Sequence, residues 1–315
     1  MKSARWYYKT TNMKTTLSII LFCVVVAMPM YAQDADLSEI YAQMEAIKLH
    51  QDSIDSSTLM AVYDYRCMTQ DAEGETVVDD MRLCLQVGTH CTRSFPYRKF
   101  ERDIASEDRN YMDGYELMDD EEENTLATES YCFMPEVWRN YPEGKMTVRD
   151  AIPPFIYMTQ ETLEPIKWKL SEDTLTVCGY LCKKATCELH GRKWTVSYSE
   201  EIPTSAGPWK LCGLPGLIVD AKCDGGIHSF TLTDIQRTAT TIYMERNAIT
   251  TKISEKKLIL NRNKTFGYHQ YIKDPLYYAH ESIKTADKVF GKNGMLINGT
   301  YINDKPHKYQ PLELK

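Results

Sequence analysis

Gly213-Leu214-Pro215-Gly216-Leu217-Ile218 runs directly into Val219-Asp220-Ala221, and its reading organises the rest of the chain. Proline at the second position of Leu214-Pro215-Gly216-Leu217 holds φ at about −65°, and glycine at the third accepts positive φ. These four residues therefore meet the demands of a type II turn. The apolar run behind them reads as a buried strand. Gly207-Pro208, six residues upstream, is read as a second turn element. None of these side chains can move a proton, hold a metal or attack a substrate, so Gly207, Pro208 and Gly213 to Ile218 are architecture.

Outward from this stretch the chain alternates in strand periods. Thr174–Cys178, Leu181–Leu189 and Arg192–Tyr198 read as strands, with His190-Gly191 as a two-residue hairpin turn. In the second of these, Leu181, Ala185, Cys187 and Leu189 are expected on one face and Cys182, Lys184 and Thr186 on the other. Leu217–Cys223 and Ile227–Asp234 form another hairpin through Asp224-Gly225-Gly226. Further upstream, Ala61, Tyr63, Tyr65 and Cys67 pair with a returning face of Met81, Leu83, Leu85 and Val87, across a turn at Asp71-Ala72-Glu73-Gly74. Cys67 and Cys84 should then lie on opposite faces of this hairpin, out of bonding reach. The expected fold is mainly β: an antiparallel meander forming a curved open sheet or half-barrel, with flanking helices at 36–50 and 276–290. Residues 58–315 read as a single domain, preceded by a helical segment at 33–57.

The N-terminus reads as an export leader. Met13-Lys14-Thr15-Thr16 and the apolar Leu17–Met28 form an n-region and h-region, with Pro29-Met30-Tyr31-Ala32 as the cleavage region of a signal peptide at 1–32. Either Met13 is the initiator or the n-region is unusually long. The apolar run falls short of the roughly 20 residues that span a bilayer, which favours export over anchoring. A net charge of −7 speaks against a nucleic-acid surface. The run Asp119-Asp120-Glu121-Glu122-Glu123 lacks the spaced ligands and turn glycine of a calcium loop and reads as a solvated segment.

Of the ten cysteines, nine follow the leader, an odd number that leaves at least one unpaired in an oxidising compartment. Cys178, Cys182 and Cys187, with His190 close behind, are the densest group. Disulfides and buried thiols are one reading of it; a zinc or copper site is the other. Strand alternation opposes the second by placing Cys182 across the sheet from Cys187.

With its neighbours, the Gly-Leu-Pro-Gly-Leu-Ile stretch resembles the signature of the GLPGLI family of secreted bacterial proteins. Trp168-Lys169-Leu170, Gly179-Tyr180-Leu181-Cys182-Lys183-Lys184-Ala185, Gly191-Arg192-Lys193-Trp194-Thr195-Val196 and Gly207-Pro208-Trp209-Lys210 are similar to that family's approach to the motif. Tyr309-Gln310-Pro311-Leu312-Glu313 is similar to an Asn-Pro-Ile-Glu-like terminus common there, with Gln310 and Leu312 departing from it. The resemblance implies an exported protein of the periplasm or outer membrane, in a family encountered beside outer-membrane transport genes. It transfers no catalytic residue.

The chain carries no nucleophile-elbow pattern, no His-Glu-x-x-His and no Cys-x-x-Cys. His228 reads as a sheet residue rather than a base. Twenty-one tyrosines and five tryptophans suit a ligand cleft or an interface as well as a β-rich core. The expected function is therefore non-enzymatic binding, with no cofactor and no nucleic acid. The partner would be an outer-membrane transport or envelope protein, a peptide or a lipid. A cysteine-dependent metal or thiol protein is the alternative, and a hydrolase without a recognisable motif comes third.

Overall fold

The computed structural model describes residues 50–71, 74–97, 99–100, 134–152, 155–246, 250–268, 271–272, 296–297, 300–301 and 307–315. The leader, the acidic run, the helix at 276–290 and all but the last residue of the helix at 36–50 lie outside the described residues. His50 opens a strand, so the part of the expected helical segment from 50 to 57 is extended.

Two meanders build one sheet. The first is β1 (His50–Gln70), β2 (Thr76–Gly88), β3 (Thr92–Pro96), β4 (Glu136–Arg139), β5 (Lys145–Ile152) and β6 (Phe155–Thr162). The second is β7 (Lys169–Val177), β8 (Tyr180–Leu189), β9 (Arg192–Ser199), β10 (Leu217–Cys223) and β11 (His228–Gln236). They join in the middle, where β1 pairs antiparallel with β11, giving the order β6-β5-β4-β3-β2-β1-β11-β10-β9-β8-β7. β12 (Thr241–Arg246) pairs with the first half of β1, and β13 (Thr250–Lys252) adds parallel to β6. One helix follows among the described residues, α1 (Glu255–Tyr268).

The connection from β6 to β7 forces this sheet to curl. Residues 163–168 carry the chain from one end of the strand order to the other. In a flat sheet those strands would stand about 48 Å apart, at about 4.8 Å per strand. The link reaches about 25 Å at most when fully extended. The core agrees: Val148 and Ile152 of β5 pack in one buried cluster with Ala185 of β8, Trp194 of β9 and Leu217 of β10. The result is a mainly β, open, curved sheet that does not close into a barrel, as the sequence led one to expect. α1 and the segment 309–315 lie at its mouth, contributing Leu258 and Leu312 to the same core.

Alternation places the first hairpin as expected. Ala61, Tyr63, Tyr65 and Cys67 share the main core with Leu83, Leu85 and Val87, while Cys84 lies on the other face with Met60, Phe95 and Phe100. β8 departs from expectation at one end. Leu181 is 59 % exposed, its carbonyl accepting from Ser199 Oγ at the end of β9 at 2.9 Å, whereas Cys182 is fully buried in the main core. α1 is the element that periodicity missed, because among its described side chains the buried apolar ones are only Leu258 and Ile259. Ser254 caps it, accepting from Lys257 N at 3.4 Å.

Gly216 has a different role from that expected. It is absent from the residues of positive φ, and Leu217 N donates to Ile202 O at 3.1 Å rather than closing a turn onto Leu214. The Leu214–Gly216 stretch is a bend rather than a type II turn. What demands glycine is contact: a Cβ at Gly216 would stand 2.1 Å from Ser199 O, a backbone atom that cannot turn aside. Gly207 is similarly confined, since a Cβ there would stand 2.6 Å from Leu211 O and 2.8 Å from Ile218 Cδ1, so the two motifs pack on each other. Gly213 is the member with positive φ, at +92°. The buried strand behind the motif is as expected, with Leu217, Ile218 and Val219 fully buried.

Gly216→Ala is therefore expected to destabilise the protein by about 2 kcal/mol or more through overpacking. Gly74→Ala, where nothing lies within 4 Å and only the φ of +87° resists, should cost about 1 kcal/mol. Urea unfolding of both variants compares them, and a Gly216→Ala midpoint equal to the parent's would remove the close-packing account.

Candidate functional site

The cysteines singled out in the sequence do not converge. Cys178 sits exposed at a hairpin tip with φ at +51° and donates to Leu232 O at 3.0 Å. Cys182 and Cys187 are both buried in the main core, and among the described residues the one place where three ligand atoms gather within 4.8 Å holds no cysteine. All eight described cysteines are thiols. Burial raises the thiols of Cys178 and Cys182 and pushes that of Cys187 up to about 12, so the free thiols stay protonated and are poor nucleophiles.

The dense polar site lies elsewhere, at the mouth of the sheet, and Lys210 of Gly207-Pro208-Trp209-Lys210 is its centre. Its side chain is buried, and its ammonium donates to Glu255 Oε1 of α1 at 2.7 Å, to Glu313 Oε1 and to His190 Nε2 at 3.4 Å. Three N–H groups meet three acceptors, so the ammonium is saturated. Because an ammonium only donates, His190 Nε2 is the lone-pair nitrogen. Its Nδ1 carries the proton, 3.3 Å from Lys315 O.

The local fold brings these groups together for separate reasons. His190 and Gly191 form the two-residue turn between β8 and β9, with φ of +48° and +82°. Trp209, at φ +55°, is fixed by Ser94 Oγ, which accepts from its N–H at 2.9 Å. The loop is pinned by Gly213 N to Ser205 O at 2.7 Å and Trp168 Nε1 to Cys212 O at 2.9 Å. Arg262 of α1 bonds Asp150 of β5, so the helix ties the β5 side of the mouth to the Lys210 loop.

The segment 309–315 crosses the same mouth. Pro311 O accepts from Arg192 of β9, through Nε at 3.1 Å and also Nη2, and from His228 Nε2 of β11 at 3.2 Å. Asn263 Nδ2 donates to Glu313 O at 2.8 Å, and Tyr309 OH donates to Asn263 Oδ1 at 2.9 Å. Leu314 N donates to His190 O at 2.9 Å. His228, wholly buried, is a sheet residue as expected, with Tyr65 OH 2.8 Å from its Nδ1.

Charge and burial oppose each other here, and pairing decides the outcome. Burial works against the Lys210 charge, but Glu313 and Glu255 outweigh it and raise its hold on the proton. Burial would raise the Glu313 carboxyl; Lys210 foremost brings it below its usual range. Burial, then Lys210, hold His190 below the usual imidazole range. Chemically, Lys210 has no lone pair for attack and His190 has none to spare for a base. Among the described residues, His190, Glu255 and Glu313 alone gather three ligand atoms within 4.8 Å, and the Lys210 ammonium stands in the cation's place. A second buried knot lies on the back face. There burial would raise Glu136, but Lys99, Arg93 and Arg149 hold it at about 2.

Sequence reasoning marked Lys210 and Glu313 as pieces of two separate motifs and missed that they touch. The available signal was a lysine set in an otherwise apolar run, Trp209-Lys210-Leu211-Cys212. A charge so placed needs a partner.

No family model matches the chain, and no curated protein matches it. Among solved structures, PNGF-II in a P21 space group is similar at 13% identity and a TM-score of 0.42, over 70% of this chain and 34% of that one. PNGF-II in a C2 space group gives 14% and 0.38, over 68% and 34%. The chain thus spans about a third of the length of those chains. A likeness of this extent carries no argument about function.

Lys210→Met should cost about 3–5 kcal/mol, because it leaves Glu313 buried without its cation. Adding Glu313→Leu should recover much of the loss in chemical denaturation, and a neutral single variant would deny Lys210 the clamp role. The pH dependence follows from His190. The folded state holds its proton less tightly than the unfolded chain, whose value is 6.5, so stability should fall as pH drops through and below 6.5. Melting temperatures from pH 8 to 5 should show that fall, and His190→Gln should flatten it.

Proposed function

We propose that this chain is an exported cell-envelope protein of the GLPGLI type that binds a partner protein or peptide and performs no chemistry of its own. One observation carries the reading. The buried Lys210 ammonium at the mouth gives its three N–H groups to His190, Glu255 and Glu313, and the His190 ring spends its other nitrogen on Lys315 O. It reads as a clamp that shapes the mouth of an open sheet. Cysteine chemistry is the weaker reading, since among the described residues no cysteine joins a group of three ligand atoms, and burial raises the free thiols.

The test is native mass spectrometry of the full-length protein recovered from the envelope fraction. The expected result is a leader-cleaved chain carrying a stoichiometric protein or peptide. Retention in the cytoplasm with the leader intact, or a bare chain in every envelope fraction, would overturn the reading.

A further inference from the structure

The segment 309–315 is held as a ligand is held. Its contacts come from one short linear run, read position by position by side chains of separate elements. Pro311 has no N–H to satisfy, and its carbonyl is met by Arg192 and His228. Leu312 fills an apolar pocket in the main core, 6 % exposed. The Glu313 carboxylate meets Lys210, and its carbonyl meets Asn263 Nδ2 at 2.8 Å. Leu314 N and Lys315 O both meet His190, through its carbonyl oxygen and Nδ1. Residues 309–315 belong to no strand or helix, so little of this recognition is sheet pairing.

The walls are correspondingly cationic. Arg192 is 5 % exposed and Lys210 3 %, the first carried by the β8–β9 hairpin and the second by the loop that Gly213 N to Ser205 O pins. One apolar pocket is flanked by a backbone-carbonyl fork on one side and a carboxylate receptor on the other. That is the layout by which grooves read extended peptides: one buried anchor, with polar contacts fixing register.

We propose that this groove is a peptide-binding site for an extended segment of a partner protein carrying proline, an aliphatic residue and glutamate in succession. The chain's own Pro311-Leu312-Glu313 fills it in cis. The proposal rests on the binding reading above and names its site. The side chains that read the segment make the same contacts whether it arrives on this chain or another. Tethering gives the cis segment an effective concentration on the order of millimolar, so a free peptide competes only when the cis copy is displaced or outnumbered.

The experiment uses the full chain with Leu312→Asp and Glu313→Lys, which evict the cis segment, and a fluorescein-labelled peptide Tyr-Gln-Pro-Leu-Glu-Leu-Lys. Anisotropy should show saturable binding at least tenfold tighter to the variant than to the parent. Peptides with leucine changed to aspartate or glutamate to lysine should bind at least tenfold more weakly. A folded variant that does not bind the peptide, or binds the altered peptides equally, overturns the proposal. Should the variant lose its fold by circular dichroism, the parent decides. Millimolar peptide must speed hydrogen exchange at 309–315, and unchanged protection overturns the site. A dimer formed by reciprocal exchange of 309–315 in gel filtration would assign the groove to a second copy and overturn the foreign partner. If the peptide fails while the chain still leaves the envelope with a stoichiometric partner, the groove falls and the broader binding reading stands.

Discussion

A single buried ammonium holds the mouth of this protein together. Lys210 reaches a loop-borne imidazole, a helix carboxylate and the carboxylate of a segment about a hundred residues further along the chain. Removing any one of these acceptors would leave an N–H of a buried cation without a partner, which is costly in a low-dielectric interior. The geometry therefore fixes three elements relative to one another at once: the turn between β8 and β9, the first residue of α1 and the 309–315 segment. The curl of the sheet brings them near each other, and the ammonium sets how they meet.

That arrangement also gives physical sense to motifs far apart in sequence. Gly207 and Gly216 are required because backbone passes too close for a Cβ, and Gly207 is packed against Ile218. Gly213 supplies the one positive φ of the hexapeptide. The motif thus compresses the loop before β10 against β9 and presents Lys210 inward. Proline and glutamate near the end of the described chain are then the other half of the same contact, one offering a carbonyl to Arg192 and the other a carboxylate to Lys210.

The strands were legible where alternation is regular and one face is buried. Leu217–Cys223 falls where its apolar run predicts, and Tyr63, Tyr65, Leu83 and Leu85 share a core as their parity requires. Parity failed at Leu181 and Cys182, beyond the point where the β7–β8 pairing breaks register between Ala185 and Lys183: Cys182 joins Ala185 and Cys187 in the main core and Leu181 is left exposed. α1 was hidden by composition: its inward Arg262 reads as a surface residue until Asp150 is found opposite. The clamp was hidden by distance. Period-based reading sees neighbours two to four residues apart, whereas Lys210 and Glu313 are 103 residues apart and Asp150 and Arg262 are 112.

An open sheet carries an obligation that a closed barrel does not, since its edge strands present unpaired backbone groups to other chains. Here the edges are guarded. β7 breaks register between Leu170 and Thr174 and carries Lys169, Glu172 and Asp173 exposed, and β13 is three residues long. Bulges, charges and brevity are the usual deterrents to strand addition. Pairing at the sheet edge is thus discouraged at both ends. The mouth differs, because a polypeptide segment already lies there and is read by arginine, lysine, asparagine and two histidines. The segment 309–315 is thus taken up in the opening that the curvature creates, while the edges carry the features that oppose strand addition.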